Sequence, residues 1–276
     1  NNMIKSHKED GVALTKFLYW LKSNVIKRNI SELDAQSKLE QFRKKNKNYI
    51  FSSFNTIAGT GPNGAIVHYR ATKKSNRIIK KKDIFLCDSG GQYNYGTTDV
   101  TRTVCFTKPE KKIKDILTMV LKGHIGVATF NLNKNTTGNK IDKVARTPLK
   151  SKGKDYAHGT GHGVGHFLNV HEGPHSISKF NKVKFSEGMI VSNEPGYYKK
   201  NKFGIRIENL VYVKKLNNKI FFENLTLAPI DKDLINFDLL TKKEFNYLND
   251  YNKKIYQSLN PYLKKKEKNW LKSFIN

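Results

Sequence analysis

Apolar side chains recur every three or four residues in four segments of the chain, which predicts four amphipathic helices. These segments are residues 12–21, 39–42, 113–121 and 245–255. A Ser or Thr with an acidic residue three positions later precedes each one, and this spacing is typical of a capping box. The pairs are Ser6 with Glu9, Ser31 with Asp34, Thr107 with Glu110, and Thr241 with Glu244. We therefore expect a helix to begin at each pair.

Short apolar runs that favour β structure separate these helices and predict strands. They are residues 65–69, 84–87, 100–106, 189–192, 205–213 and 220–222. Segment 54–64 is rich in Gly, Thr and Asn and is expected to be a loop. Segment 153–174 is rich in Gly and His. Helices, strands, helices and strands again, in that order, predict an α+β fold.

The chain has 276 residues, of which 37% are apolar, with 16 Phe and 13 Tyr. This length allows one large domain or two modest ones, and the aromatic content excludes a disordered chain. No stretch approaches the ~20 consecutive apolar residues of a membrane-spanning helix, and segment 1–10 lacks a signal-peptide pattern. The two cysteines, Cys87 and Cys105, exclude a disulfide scaffold and a cysteine-built zinc site. We expect a reducing compartment and a cytoplasmic protein.

The formal net charge of +28 points first to an anionic partner such as nucleic acid. However, the lysines are spread along the chain, and no zinc-finger, RNA-binding or basic-zipper pattern is present. Lys and Asn are both in excess, which indicates a compositional bias. We therefore expect a solvated basic surface, without a nucleic-acid partner and without a membrane.

Two aspartates border a Gly-rich segment between two predicted strands. Asp88 ends the run 84–87, and Asp99 precedes the run that begins at Val100. Glycines let the backbone turn sharply, so a hairpin would bring the two carboxylates together. They would repel each other there unless a cation lay between them. The simpler interpretation is two surface turn residues, and these two positions alone favour it.

Histidines and glutamates complete the candidate chemistry. Five of the eight histidines lie between His158 and His175, and histidine is both the commonest metal ligand and a proton shuttle. Glu194 follows the run 189–192, and Glu208 lies within a predicted strand, where an unpaired carboxylate is unfavourable. Strand alternation places Arg206 on the same face as Glu208, so a structural ion pair is the alternative.

Two Asp, two Glu and one histidine of this cluster would form an oxygen-rich donor set without a thiolate. Such a set suits Mn²⁺, Co²⁺ or Zn²⁺. Four carboxylates carry more negative charge than one divalent ion neutralises, so the set predicts two ions. A two-metal centre holds a hydroxide between the ions and polarises a carbonyl, which is hydrolytic chemistry.

With these flanks the chain resembles the pita-bread metallopeptidases, which include methionine aminopeptidase, prolidase and aminopeptidase P. The detailed match is to eukaryotic-type aminopeptidase P and covers essentially the whole chain. The matching segments are GTGPNGAIVHY at 59–69, DSGGQYNYGTTDVTRTV at 88–104, HGTGHGVGHFLNVHEGP at 158–174, SNEPGYY at 192–198, FGIRIENLV at 203–211 and FENLTLAPID at 222–231. The resemblance implies an α+β pita-bread fold, in which two pseudo-twofold halves carry helices on a curved antiparallel sheet.

The resemblance also implies a dinuclear metal centre. Asp88 would be a bidentate ligand of one ion. Asp99 and Glu208 would bridge both ions, and His162 and Glu194 would complete the shell of the other. Manganese is the metal that the family leads us to expect, and the donor set also admits Co²⁺ or Zn²⁺.

Further roles follow from the same resemblance. His171 would shuttle a proton or hold the substrate carbonyl, and His68 and His158 would contact the proline-containing end of the substrate. Arg206 would support the network beside the metals and the substrate. The implied catalytic residues are therefore His171, His68 and Glu194.

The implied reaction is release of the N-terminal residue from a peptide whose second residue is proline. Because the X-Pro bond has no N–H, an aminopeptidase that requires this donor fails on such peptides. A prolidase-like X-Pro dipeptidase is the alternative within the family, and a non-catalytic binding module on the same fold is the alternative outside it.

The resemblance implies a domain organisation as well. Residues 1–230 would form the catalytic domain, and residues 231–276 a helical extension. Segment 245–262 of that extension is expected to contribute to a homodimer. Eukaryotic-type relatives carry two further N-terminal domains, so we expect this chain to be a catalytic fragment.

Overall fold

The computed structural model describes residues 1–275. Within that range six α-helices, named α1 to α6 in chain order, span Asn2–Val25, Glu32–Arg43, Lys111–Ala128, Gly138–Lys150, Lys242–Leu259 and Lys265–Ile275. Thirteen strands, named β1 to β13, span Tyr49–Ser52, Ile57–Thr60, Ile84–Ser89, Gly91–Tyr93, Gly96–Thr97, Val100–Cys105, Gly161–His162, Ser176–Ile177, Ile190–Asn193, Gly196–Lys199, Phe203–Arg206, Asn209–Leu216 and Lys219–Asn224. Helices and antiparallel sheets together confirm the predicted α+β class.

Two three-stranded antiparallel sheets carry the fold, one in the order β2-β3-β6 and the other in the order β13-β12-β9. A third three-stranded sheet has the order β1-β4-β5, and two-stranded sheets form from β10 and β11 and from β7 and β8. Strand β6 joins the two halves of the chain. The Thr103 hydroxyl donates to the Arg206 carbonyl at 2.8 Å, and the Glu208 N–H donates to the Thr101 carbonyl at 3.1 Å.

Helices cover both halves of the molecule. Helix α1 packs on α2 beside β2, and helix α3 packs on α4 and contacts β9 and β13. The largest buried cluster combines Phe17 of α1 and Leu117 of α3 with Ile255 of α5 and Leu271 of α6. The C-terminal helices therefore share one hydrophobic core with the helices that precede them. None of the described helices combines the length and apolar character that crossing a bilayer requires.

The predicted helices are present, but two of the four predicted starts are wrong. Capping boxes at Ser31 and Thr241 begin α2 and α5 as predicted. Helix α1 begins at Asn2 instead, and the Ser6 hydroxyl bonds within the helix to the Asn2 carbonyl. Helix α3 begins at Lys111 without a side-chain cap. Helix α4 was not predicted, because its sequence is mostly polar and contains a proline.

Two strand predictions and one loop prediction require correction. Segment 65–69 is a 3₁₀ helix end and a turn, and segment 54–64, predicted to be a loop, contains β2. The run 205–213 is divided into β11 and β12 by Ile207 and Glu208. Glu208 therefore lies at a break between strands, where its backbone N–H bonds to β6. The alternation of side chains along a strand does not determine the direction of its side chain.

Candidate active site

One cavity of about 430 Å³ brings together all nine side chains that the sequence singled out. They come from five separate segments and from both halves of the chain: His68, Asp88, Asp99, His158, His162, His171, Glu194, Arg206 and Glu208. The interpretation of Asp88 and Asp99 as surface turn residues is wrong, since their exposed fractions are 8% and 4%.

The hairpin of β3 and β6 positions the two aspartates. Asp88 lies in β3 and pairs in register with Thr101 of β6, while Asp99 immediately precedes β6. Strand β2 flanks the other side of β3 and places Ile57 opposite Asp88. The Gly-rich segment between the aspartates forms β4 and β5, which pair with each other outside this sheet.

Strands β7 and β9 position His162 and Glu194. The Glu194 N–H donates to the Thr160 carbonyl at 2.8 Å, and the His162 N–H donates to the Ser192 hydroxyl at 2.9 Å. The Ser192 hydroxyl in turn donates to Glu194 Oε1 at 3.1 Å. These hydrogen bonds therefore join the Gly/His-rich stretch to β9 and hold His162 and Glu194 next to each other.

The break between β11 and β12 brings Glu208 against β6. Its exposed fraction is 1%, and Thr101, 107 residues earlier in the chain, donates its hydroxyl to Glu208 Oε2 at 2.8 Å. The Thr101 hydroxyl also accepts from Arg206 Nε at 3.1 Å. Glu208 and Arg206 are thus joined through Thr101, whereas the Arg206 guanidinium pairs with a different carboxylate.

Burial, together with the repulsion between neighbouring carboxylates, perturbs the ionisation of these groups. Burial raises the pKa of Asp99 well above its usual value, and the neighbouring charges of Glu208 and Asp88 raise it further. Burial also raises the pKa of Glu194 and of Glu208 to about 8. A set of groups that cannot all ionise together at neutral pH is one that cations would stabilise.

The donor atoms fit divalent metal ions. Asp99, His162 and Glu208 each offer one ligand atom within 4.8 Å of the others, and His162 Nε2 lies 3.4 Å from Glu194 Oε1. Asp88 Oδ1 is buried and has no hydrogen-bond partner within the described residues 1–275. An orphaned carboxylate oxygen beside oxygen and imidazole donors matches the ligands that Mn²⁺ and Zn²⁺ accept.

A chain of hydrogen bonds runs from Asp88 to His158. Arg206 Nη2 donates to Asp88 Oδ2 at 2.6 Å, and Nη1 donates to the Tyr198 hydroxyl at 2.5 Å. His158 Nδ1 bonds to the Gly159 carbonyl at 2.7 Å and therefore carries the proton, so Nε2 accepts from Tyr198 at 2.9 Å. Burial lowers the pKa of His158 to about 4, which keeps the ring neutral. Both nitrogens of His158 are thus engaged within the protein.

The two remaining histidines lie on exposed loops at the cavity. The His171 ring packs against His162 with centroids 4.1 Å apart. Burial and the neighbouring His162 lower the pKa of His171, so its imidazole is neutral at pH 7. His68 follows the 3₁₀ helix Gly61–Ala65 and is exposed.

Three residues that support the site were not predicted. Thr101 and Tyr198 link Arg206 to Glu208 and to His158, as described above. The third is Arg102, which is 1% exposed and donates to the carbonyls of Thr101 and Glu208 at 2.8 and 2.6 Å. All three lie within the segments that carry the family resemblance, and that was the available signal.

A second group of candidate ligands consists of Cys105, Asp231 and Asp233. The Lys22 ammonium lies 2.8 Å from Asp231 Oδ2 and 3.2 Å from Asp233 Oδ2, so a side-chain cation already pairs with both carboxylates. It is an ionic link between α1 and the segment after β13. Both cysteines of the chain are buried and free, as the sequence predicted for a protein without a disulfide scaffold.

Sequence comparisons identify relatives of the whole chain. Residues 1–215 match metallopeptidase family M24, and residues 219–274 match the C-terminal region of peptidase M24. The chain is 43% identical over 285 residues to a probable Xaa-Pro aminopeptidase P from Phaeosphaeria nodorum, covering 98% of this chain and 44% of the relative. It is 44% identical to a probable Xaa-Pro aminopeptidase P from Arthroderma gypseum, covering 97% and 45%. The chain thus spans less than half the length of these relatives.

Solved structures share its fold. An X-prolyl aminopeptidase from Caenorhabditis elegans, described as a cytosolic enzyme with a dinuclear active site, matches with a TM-score of 0.95 at 36% identity, over 100% of this chain and 47% of its own. A Xaa-Pro dipeptidase from Bacillus anthracis matches with a TM-score of 0.72 at 28% identity, over 84% and 62%. The predicted pita-bread fold is confirmed by these similarities. On the family match, the relatives and the shared fold, the chain belongs to metallopeptidase family M24.

Proposed function

We propose that this chain is the catalytic part of a dinuclear aminopeptidase that hydrolyses the bond between an N-terminal residue and a proline in the second position. The observation that carries the proposal is the convergence of four carboxylates and one imidazole on one cavity, where Asp88 Oδ1 has no partner in the described part of the chain. The relatives named as Xaa-Pro aminopeptidases support the substrate class.

Five side chains are proposed to hold two divalent ions: Asp88, Asp99, His162, Glu194 and Glu208. When bound, the ions supply Lewis acidity toward the scissile carbonyl and a water nucleophile at neutral pH. The protein contributes orientation of these ligands. Arg206 holds one oxygen of Asp88 at 2.6 Å and leaves the other for the centre, and Thr101 holds Glu208 at 2.8 Å.

The remaining side chains are proposed to handle the substrate and the proton. Cleavage of the X-Pro bond requires a proton on the proline nitrogen as that bond breaks. His171 is neutral at pH 7 and exposed at the cavity, so it is suited to hold the carbonyl or carry this proton, and Glu194 is the second candidate. His68 is proposed to contact the proline end. His158 would contribute its ring face, because both its nitrogens are bonded.

The test is cleavage of a peptide that begins X-Pro-Pro, with added Mn²⁺ and again after chelation. Metal-dependent release of X alone is the expected result. Glu208→Ala should abolish it, because one of the five proposed ligands is lost. Glu187→Gln, which removes an exposed carboxylate, should leave it unchanged. The absence of release from protein whose bound metal is verified by elemental analysis would contradict the proposal.

The same assay, together with a measurement of nucleic-acid binding, distinguishes the two alternatives. Cleavage of X-Pro dipeptides, without cleavage of tripeptides or longer peptides, would identify a prolidase-like dipeptidase. No peptidase activity, combined with RNA or DNA binding that weakens steeply with salt, would identify a binding module. The presence of all five candidate ligands in one cavity argues against the second alternative.

We also propose Mn²⁺ as the metal, a cytosolic location and a homodimer formed through segment 245–262. The neighbouring nematode enzyme is described as cytosolic, which supports the location. Phe245 and Tyr262 are 42% and 53% exposed, and such exposed rings are suited to an interface. Light scattering after size-exclusion chromatography tests the dimer. A monomer at micromolar concentration would contradict it.

A further inference from the structure

Glu32 is a buried carboxylate outside the proposed metal centre. Its exposed fraction is 0%, and it lies in the first turn of α2, directly after the N-cap residue Ser31. Within the described residues 1–275 it forms no ion pair with a Lys or Arg side chain. The N-terminus of a helix favours a negative charge, but a charge this deeply buried also needs hydrogen-bond donors.

One connected segment supplies those donors. Glu32 Oε1 accepts from the Thr60 N–H at 2.8 Å and from Asn63 Nδ2 at 3.0 Å. Glu32 Oε2 accepts from the Tyr69 hydroxyl at 2.8 Å and from the Arg77 N–H at 3.0 Å. All four donors belong to the stretch from the end of β2 to residue 77. The carboxylate thus bonds to both ends of this stretch and to two side chains within it.

This stretch carries two residues of the cavity. Val67 and His68 both line it, and His68 is directly followed by Tyr69. Residues 67–77 lie outside helices and strands. Few backbone hydrogen bonds hold them, among them those from the Asn76 N–H to the Thr72 carbonyl at 2.8 Å and from the Glu32 N–H to the Arg77 carbonyl at 3.0 Å. At the front of the stretch, Gly64 packs so closely on Gly204 of β11 that a Cβ on Gly204 would collide with its carbonyl oxygen.

We propose that Glu32 is a positioning residue for substrate binding, which holds the loop formed by residues 61–77 so that Val67 and His68 face the substrate. The proposal rests on the proposed function for its kinetic readout, but the loop's order is measurable without any substrate. Charge-assisted hydrogen bonds are stronger than neutral ones. Replacing the carboxylate by an amide also turns an acceptor into a donor that faces the N–H groups of the loop.

The experiment compares Glu32→Gln and Tyr69→Phe with wild type, all loaded with Mn²⁺. Lys74→Gln, an exposed change in the same loop, is the matched control. Hydrogen exchange of the amides in residues 61–77 should accelerate on the order of tenfold in Glu32→Gln, the scale of one or two lost hydrogen bonds. KM for an X-Pro-Pro peptide should rise by about the same factor, whereas kcat and metal stoichiometry stay within about twofold.

Each outcome decides the proposal. Unchanged exchange in the loop would overturn it, because Glu32 would then not hold the loop. A fall in kcat with KM unchanged would also overturn it, because a residue that affected only the chemical step or the folded fraction would give that result. If Glu32→Gln does not fold, Tyr69→Phe removes one donor and should change exchange and KM in the same direction, by about threefold. If wild type cleaves no X-Pro peptide, the proposed function fails, and loop exchange alone decides the role of Glu32.

Discussion

Binding of divalent ions should release protons from the candidate site. Burial raises the pKa of Glu194 and Glu208 to about 8, and burial with neighbouring carboxylates raises the pKa of Asp99. At pH 7 a group with a pKa of about 8 is about nine-tenths protonated. Metal ligation requires the ionised carboxylate. Filling the site with Mn²⁺ at pH 7 should therefore release about two protons per protein molecule from these two glutamates.

Titration calorimetry in two buffers of different ionisation enthalpy measures this number directly. The apparent binding enthalpy should differ between the buffers by about twice the difference in their ionisation enthalpies, in line with about two protons released. The number should fall at pH 8.5, because more of the carboxylates are already ionised. Glu208→Gln should release about one proton fewer than wild type. Release of less than one proton at pH 7 would refute the conclusion that these carboxylates are protonated in the metal-free protein.

The same pKa shifts determine how the metal-free protein responds to pH. A glutamate in the unfolded chain loses its proton near pH 4.3, whereas folded Glu208 keeps it up to about pH 8. Between these values the folded state binds more protons, so its free energy of unfolding falls as pH rises, by up to about 1.4 kcal/mol per pH unit for each such group. The Tm of metal-free Glu208→Gln minus the Tm of metal-free wild type should therefore increase from pH 6 to pH 8. A constant or shrinking difference would contradict this sign.

Three substitutions give further tests. Tyr198→Phe removes the hydroxyl that joins the buried guanidinium to the site histidine, so kcat/KM should fall about tenfold with metal stoichiometry retained, while Tyr197→Phe serves as control. Gly204→Ala should lower the free energy of unfolding by more than about 3 kcal/mol, measured in urea, because the new Cβ collides with the carbonyl of Gly64. Tyr251→Phe should lower it by about 1–2 kcal/mol, since the hydroxyl bonds to a fully buried arginine and to backbone carbonyls.

Local sequence patterns correctly predicted the helix starts that depend only on residues close by in the sequence. The capping boxes at Ser31 and Thr241 are such cases, since cap and helix lie within four residues of each other. Ser6 and Thr107 have the same spacing without the cap. The Ser6 hydroxyl bonds to Asn2 inside a longer helix, and the Thr107 hydroxyl bonds to the distant Lys81 carbonyl. Spacing alone cannot reveal either competing partner.

The sequence singled out residues that do converge on one cavity, whereas it mispredicted the loops around them, for a physical reason. The family motifs identify side chains such as Asp88 and Glu208 directly, whatever backbone carries them. Segment 65–69 was predicted to be a strand because its residues are apolar, yet Tyr69 is held by Glu32, 37 residues earlier. Tertiary hydrogen bonds of this kind override local propensity. The supporting Arg102 was equally hidden, since its acceptors include a carbonyl 127 residues away.

The bond between Thr101 and Glu208 has a consequence for the order of events during synthesis. Glu208 leaves the ribosome 107 residues after Thr101, which at about 5–20 residues per second is a delay of some seconds. Until then the nascent chain has its two aspartates without the last glutamate, and no complete set of donors exists. For the proposed ligand set, full occupancy by metal therefore waits until residue 208 has emerged. Occupancy of the proposed centre would then report that the segments carrying Asp88, Asp99 and Glu208 have come together.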